Sequence, residues 1–126
     1  MKLIKLAFFL VILTVSCQTN TSATIEEDRQ ELTTLLTEIK EIANSVSCTN
    51  SSDWNFTAIG SKACGGPQNY IAYHKNIDTV AFLKKVEIYT TLEKIFNKKW
   101  GIISDCAVVI APIDIICENG EVKFVN

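Results

Sequence analysis

The sequence is poor in the residues that build metal and catalytic centres. Its 126 residues contain one histidine, His74, and none of its five cysteines forms a C-x-x-C pair. The last four cysteines are separated by 16, 42 and 11 residues, whereas zinc sites draw paired ligands from local turns. No metal or other cofactor is expected. No serine-nucleophile motif occurs, and Gly60-Ser61-Lys62 lacks the spacing of a phosphate-binding loop. Asp105 and Asp114 have no context that would make them a glycosidase pair, and Asp105 reads as a turn residue after Ser104. Positive charge is not in excess, with 12 basic against 14 acidic residues. Electrostatics therefore give no reason to expect nucleic acid as a partner. Internal repeats and low-complexity tracts are absent as well.

The first residues are more informative. Lys2 and Lys5 precede an apolar run, Leu6 to Val15. Ten helical residues span only about 15 Å, half of a bilayer core, so the run fits a signal peptide better than a membrane span. Leu13-Thr14-Val15-Ser16-Cys17 then resembles a bacterial lipobox, with Thr14 where many such motifs carry leucine. This divides the chain into a signal peptide (1–16), a lipidated Cys17 with a polar tether (17–23), and one small domain (24–126). The expected location is the bacterial cell envelope, outside the cytoplasm and held to a membrane by acyl chains. The competing reading is ordinary secretion, with cleavage near Ser22-Ala23. The 110 residues left after cleavage before Cys17 suffice for one compact domain and no separate cofactor domain.

Within that domain Thr24-Ile25-Glu26-Glu27 is a capping box. Leu32, Leu35, Leu36, Ile39, Ile42, Ala43 and Val46 follow at helical spacing and predict an amphipathic helix. Trp54 to Ile59 alternates and predicts a strand closed by Gly60, and Tyr70 to His74 a second short strand. Asp78 is placed to cap another helix running to about Asn97, with Phe82, Leu83, Val86, Tyr89, Leu92 and Phe96 on its apolar side and Gly101 as its stop. Ala107 to Ile110 is β-branched and reads as a strand interrupted by Pro112. Ile113 to Glu118 resumes it, and Asn119-Gly120 is a two-residue hairpin turn into Glu121 to Val125. The fold class expected is α+β, with two amphipathic helices on a small antiparallel sheet.

Assigning Cys17 to lipid leaves Cys48, Cys64, Cys106 and Cys117, an even set suited to an oxidising compartment. Two disulfides are expected. Three pairings are open and spacing does not choose among them; Cys64–Cys106 with Cys48–Cys117 is preferred. Closing a loop of about 43 residues contributes roughly 4 kcal/mol through chain entropy.

The candidate binding loop runs from Ser61 to His74. Gly65 and Gly66 allow a tight backbone, a bridge at Cys64 would brace it, and Tyr70, Tyr73 and His74 supply contact area. In one version Lys62-Ala63 is presented to a trypsin-like protease as an inhibitor's reactive bond. The plainer alternative has the tyrosines packing at a sheet edge. A Cys64–His74 dyad would make a thiol-dependent enzyme, but it requires a thiol that escapes oxidation.

Further motifs add a resemblance. Trp54-x-Phe56, Gly60-Ser61-Lys62-x-Cys64-Gly65-Gly66-Pro67, Tyr70-x-x-Tyr73, Ile77-Asp78, Trp100-Gly101-Ile102-x-Ser104-Asp105-Cys106 and Cys117-x-Asn119-Gly120 resemble a family of small exported bacterial proteins, many of which look like lipoproteins. The likeness covers about 70 of the 126 residues. It implies export, disulfides and a small envelope domain, and it supplies no catalytic residue. The expected function is a lipid-anchored, non-enzymatic binding or structural module with an envelope protein as partner. Protease inhibition stands second and a thiol enzyme third.

Overall fold

The computed structural model describes residues 23–126, so the expected signal peptide, the lipobox-like motif and Cys17 lie outside the described residues. Helix α1 spans Ile25–Ala43 and opens with the expected capping box. Thr24 Oγ1 accepts the Glu27 amide at 3.2 Å, and the Glu27 carboxylate accepts the Thr24 amide at 2.6 Å. A 3₁₀ turn at Ser51–Asp53 leads into strand β1, Trp54–Ile59, which pairs antiparallel with β2, Asn69–His74. Asp78 caps helix α2, Thr79–Trp100, which ends on Gly101 in the left-handed conformation, one turn beyond the expected Asn97. Strands β3 (Asp114–Glu118) and β4 (Glu121–Val125) form a second hairpin. Its turn residues Asn119 and Gly120 both have positive φ, as a two-residue hairpin demands.

The α+β architecture is the expected one, with the strands arranged as two hairpins rather than one sheet. The cause lies in the two faces of the first hairpin. Ile59, Ile71 and Tyr73 share one face and meet the helices, where Ile39, Ala43, Phe82, Val86 and Tyr89 complete the larger core. Trp54, Phe56 and Ala72 share the other face and meet Ile115, Cys117, Val122 and Phe124 of the second hairpin. With apolar residues on both faces, the first hairpin gains most by being sandwiched, so β3–β4 stacks on it instead of extending its edge. Burying Phe82 and Ile39, the two largest fully enclosed side chains, stabilises the helical layer by about 1.5–3 kcal/mol each.

The expected strand at Ala107 to Ile110 does not form. Residues 102–113 run as an irregular strap between α2 and β3. The segment has strand-forming residues but no ladder partner, and β propensity without pairing does not make a strand. The strap exposes large apolar residues, Ile103 at 92% and Val108 at 87%.

Both disulfides form the preferred pairs. Cys48–Cys117 joins the connection after α1 to β3, with Cα atoms 5.3 Å apart. Cys64–Cys106 joins the Ser61–Gln68 loop to the strap, with Cα atoms 5.7 Å apart.

Candidate functional site

The loop after β1 is held by α2. Thr90, Glu93 and Asn97 recur at helical spacing and point polar groups at the loop's backbone. Thr90 Oγ1 accepts the Gly60 amide at 3.0 Å, Glu93 Oε2 accepts the Ser61 amide at 2.6 Å, and Asn97 Nδ2 donates to the Ser61 carbonyl at 2.7 Å. Gly60 is required there: its φ is +77°, and an added Cβ would stand 2.8 Å from the Cβ of Gln68. Sequence reading missed this polar stripe, whose only signal was three hydrogen-bonding residues on the flank of an otherwise apolar helix face. Glu93 also accepts the Tyr89 hydroxyl at 3.1 Å. Burial, with the Glu93 charge beside it, pushes the Tyr89 phenol far above its ordinary value.

Lys62 is not presented to solvent. Its side chain is 8% exposed, and Nζ donates to Asp105 Oδ1 at 2.8 Å and to the Ala107 carbonyl at 2.6 Å. The lysine thus pins the start of the strap. Its hydrogen bond holds the Asp105 carboxyl below the usual carboxylate range, with the Ala107 amide and the lysine's charge acting in the same direction. Asp105 is therefore the lysine's partner as well as a turn residue.

The other candidates divide. Gly65 and Gly66 sit exposed at the loop tip with positive φ and open space around them. Cys64 and Cys106 are exposed too, and their bridge leaves no free thiolate for a dyad with His74. Tyr73 is buried against Phe82, with ring centroids 5.1 Å apart. His74 is buried edge-on to Trp54 at 5.3 Å, and its Nδ1 accepts the Asn76 amide at 3.1 Å, which leaves the proton of the neutral ring on Nε2. Lys62, Tyr73 and His74 are thus corrected from contact residues to internal ones. Side chains in a strand alternate between two packed faces, so both of these β2 residues are covered from opposite sides.

Tyr70 is different. Half-buried and edge-on to Phe56 at 6.1 Å, it stands where two clefts adjoin. The first, about 350 Å³, is lined by Leu36, Lys40 and Ala43 of α1, Val122 and Phe124 of β4, and Asn69 to Ala72 of β2. The second, also about 350 Å³, continues past Asn69, Tyr70 and Phe124 to Val108, Val109, Ile110 and Pro112 of the strap. Touching four consecutive residues of a strand means that a cleft runs along the strand's edge, since alternate side chains point to opposite faces. Among the described residues β2 pairs only with β1, which leaves that edge open.

The phase of the ladder identifies its free groups. The Lys75 amide bonds to the Asp53 carbonyl at 2.8 Å, and hydrogen-bonded pairs recur at every second residue of an antiparallel ladder. Asn55–Tyr73 and Thr57–Ile71 are therefore bonded pairs, and Tyr70 and Ala72 turn their backbone groups toward the clefts. Consistent with this, the Tyr70 amide is taken by its neighbour's Asn69 Oδ1 at 2.8 Å instead of by β1. Among the described residues no group of three or more His, Cys, Asp or Glu side chains could hold a metal. None of the described helices is long and apolar enough to cross a membrane.

Comparison with known proteins returned no similarity: no family model, no curated protein and no solved structure matches the chain.

Proposed function

We propose that this protein is a lipid-anchored, non-enzymatic binding module of the bacterial envelope, and that it takes up an extended segment of a partner protein along the open edge of β2. The observation that carries the reading is the pair of adjoining clefts whose floor is that edge, with the Tyr70 carbonyl and both backbone groups of Ala72 turned away from β1 toward them. Strand addition of this kind draws affinity from main-chain hydrogen bonds and selectivity from pockets for alternate side chains. The apolar lining favours aliphatic or aromatic residues in the ligand, and Lys40 at the rim favours an acidic flank. The lipobox at Leu13–Cys17, the even set of four bridged cysteines, and the resemblance of the Gly60–Pro67 and Trp100–Cys106 motifs to small exported lipoproteins support an envelope location. The inhibitor reading finds less support, because Lys62 is buried and engaged on both sides.

The test is a backbone amide NMR titration of the disulfide-bonded protein with a library of extended peptides carrying alternate apolar residues. The reading expects hits whose shifts centre on Asn69 to Ala72, and loss of binding when alternate peptide amides are N-methylated. Hits that map elsewhere, or that tolerate the methylation, would refute strand addition.

A further inference from the structure

Helix α2 carries a second apolar surface that the fold does not use. Phe82, Val86 and Tyr89 face the core, whereas Val80, Leu83, Ile88 and Ile95 stand away from it, exposed at 80%, 38%, 44% and 55%. At 100° per residue they share that outer side with Lys84, Lys94 and Lys98. Glu87, the acidic residue on this side of α2, is paired with Lys84 at 2.8 Å. Lys94 and Lys98 form no ion pair among the described residues. The outward positions of α1 offer a contrast: Glu26, Glu31, Thr33, Thr34, Thr37 and Glu41 include no aliphatic side chain.

The path of the chain fixes which end of this face lies nearest the N-terminal segment. Asp28, in the first turn of α1, accepts Lys99 Nζ at 2.6 Å and Trp100 Nε1 at 2.8 Å. The start of α1 therefore lies beside the end of α2, and the first 22 residues, with the apolar run and Cys17, join the domain there. Seven residues from Cys17 to Ala23 reach at most about 25 Å. An acylated Cys17 would hold Ala23 within that distance of a bilayer, with the C-terminal end of α2 beside the first helical turn that follows. The acidic groups at this end are largely engaged. Glu26 pairs with Arg29 at 2.7 Å, Glu27 turns back onto the Thr24 amide, and Asp28 is taken by Lys99 and Trp100. Glu31 borders Ile95 across a small cleft that Lys99 also lines.

We propose that the outer face of α2 lies on the surface of an anionic phospholipid bilayer. Ile88 and Ile95 enter the headgroup layer, and Lys94 and Lys98 meet the lipid phosphates. Amphipathic helices with lysines beside aliphatic residues bind membranes in this way, by apolar burial and attraction to anionic lipid together. The orientation rests on the lipid-anchor reading; the composition of the face does not.

The test uses the full chain purified from membranes and mixed with phosphatidylglycerol vesicles or, in parallel, phosphatidylcholine vesicles. Lysines are acylated with a water-soluble ester and read by mass spectrometry. Lys94 and Lys98 should react several-fold more slowly on phosphatidylglycerol than on phosphatidylcholine, and high salt should remove the difference, while Lys40 and Lys123 react alike on both. Replacing Lys94 or Lys98 by glutamine should weaken association with phosphatidylglycerol by about fivefold each. Equal reactivity of Lys94 and Lys98 on the two vesicles overturns the proposal even if the protein stays anchored. If the protein leaves phosphatidylcholine vesicles in high salt, the anchor reading fails. Salt-sensitive binding to phosphatidylglycerol that is lost in Lys94→Glu/Ile95→Glu/Lys98→Glu would then still support the face, and absence of that binding would refute it. Protection of Lys94 and Lys98 without vesicles, growing with protein concentration, would assign the face to a second copy and likewise overturn the proposal.

Discussion

The two disulfides close similar loops in opposite surroundings. Cys48 and Cys117 are 69 residues apart, and Cys64 and Cys106 are 42 apart. Loop-closure entropy values them at about 4.4 and about 4.0 kcal/mol, too close together to distinguish them. What separates them is the native state. Cys48 is buried in the second core with Trp54 and Ile115, and its amide donates to the Gly120 carbonyl at 2.8 Å. Cutting that bridge would open a packed interface between the hairpins. Cys64 and Cys106 are exposed, and what they secure is an irregular strap that forms one wall of the second cleft beside β2. One bridge therefore belongs to the frame, and the other braces the strap that borders the second cleft.

That contrast can be broken by mutation. Replacing Cys48 and Cys117 together by alanine should cost at least about 4 kcal/mol in urea unfolding, since closure entropy and core packing are lost at once. Gly60→Ala should come next, at about 2–3 kcal/mol, because it strains a left-handed position and crowds the Gln68 side chain under the α2 clamp. Replacing Cys64 and Cys106 by alanine should cost less than about 2 kcal/mol, because the released strap gains freedom in the folded state and offsets much of the lost closure term. Under native conditions a mild dithiol should reduce this bridge first, and peptide binding should weaken before any helical signal is lost. If both bridges reduce together, the distinction is wrong.

The smallest effect expected is with pH. Lys99 and Trp100 hydrogen bonds lower the Asp28 carboxyl, and the Lys62 hydrogen bond lowers Asp105, each from an ordinary value of 3.8. Depressed folded values mean that this stabilisation is present above 3.8 and is lost as pH falls below it through the folded-state values. Tyr89 has the opposite sign. Its raised value keeps the folded phenol protonated, so stability declines as pH rises above 10.0. In acid unfolding monitored by circular dichroism, Lys62→Met should flatten the Asp105 contribution and leave that of Asp28.

The sequence disclosed features whose causes are local. The α1 capping box, the Asp78 cap, the Gly101 stop and the Asn119-Gly120 turn each follow from a few adjacent residues, and each stands where expected. The disulfide pairing was legible only as a preference among three. The strap was misread because Val108, Val109 and Ile110 have the composition of a strand, while pairing depends on a neighbour that composition cannot name. Lys62 was misread for a related reason: its distant partners Asp105 and Ala107 turn an exposed residue type into a buried pin. The clefts beside β2 were illegible, since they arise where both helices, the two hairpins and the strap meet, and Tyr70 alone among the aromatic loop candidates borders them.

The most direct measurement is amide exchange, resolved by NMR, along β2 in the full disulfide-bonded chain. With Asn55–Tyr73 and Thr57–Ile71 as the bonded pairs, the Ile71 and Tyr73 amides should exchange slowly and the Ala72 amide quickly, slowing only when an extended peptide is added. An Ala72 amide as protected as its two neighbours in the free protein would mean that the edge is already covered, and would contradict the account.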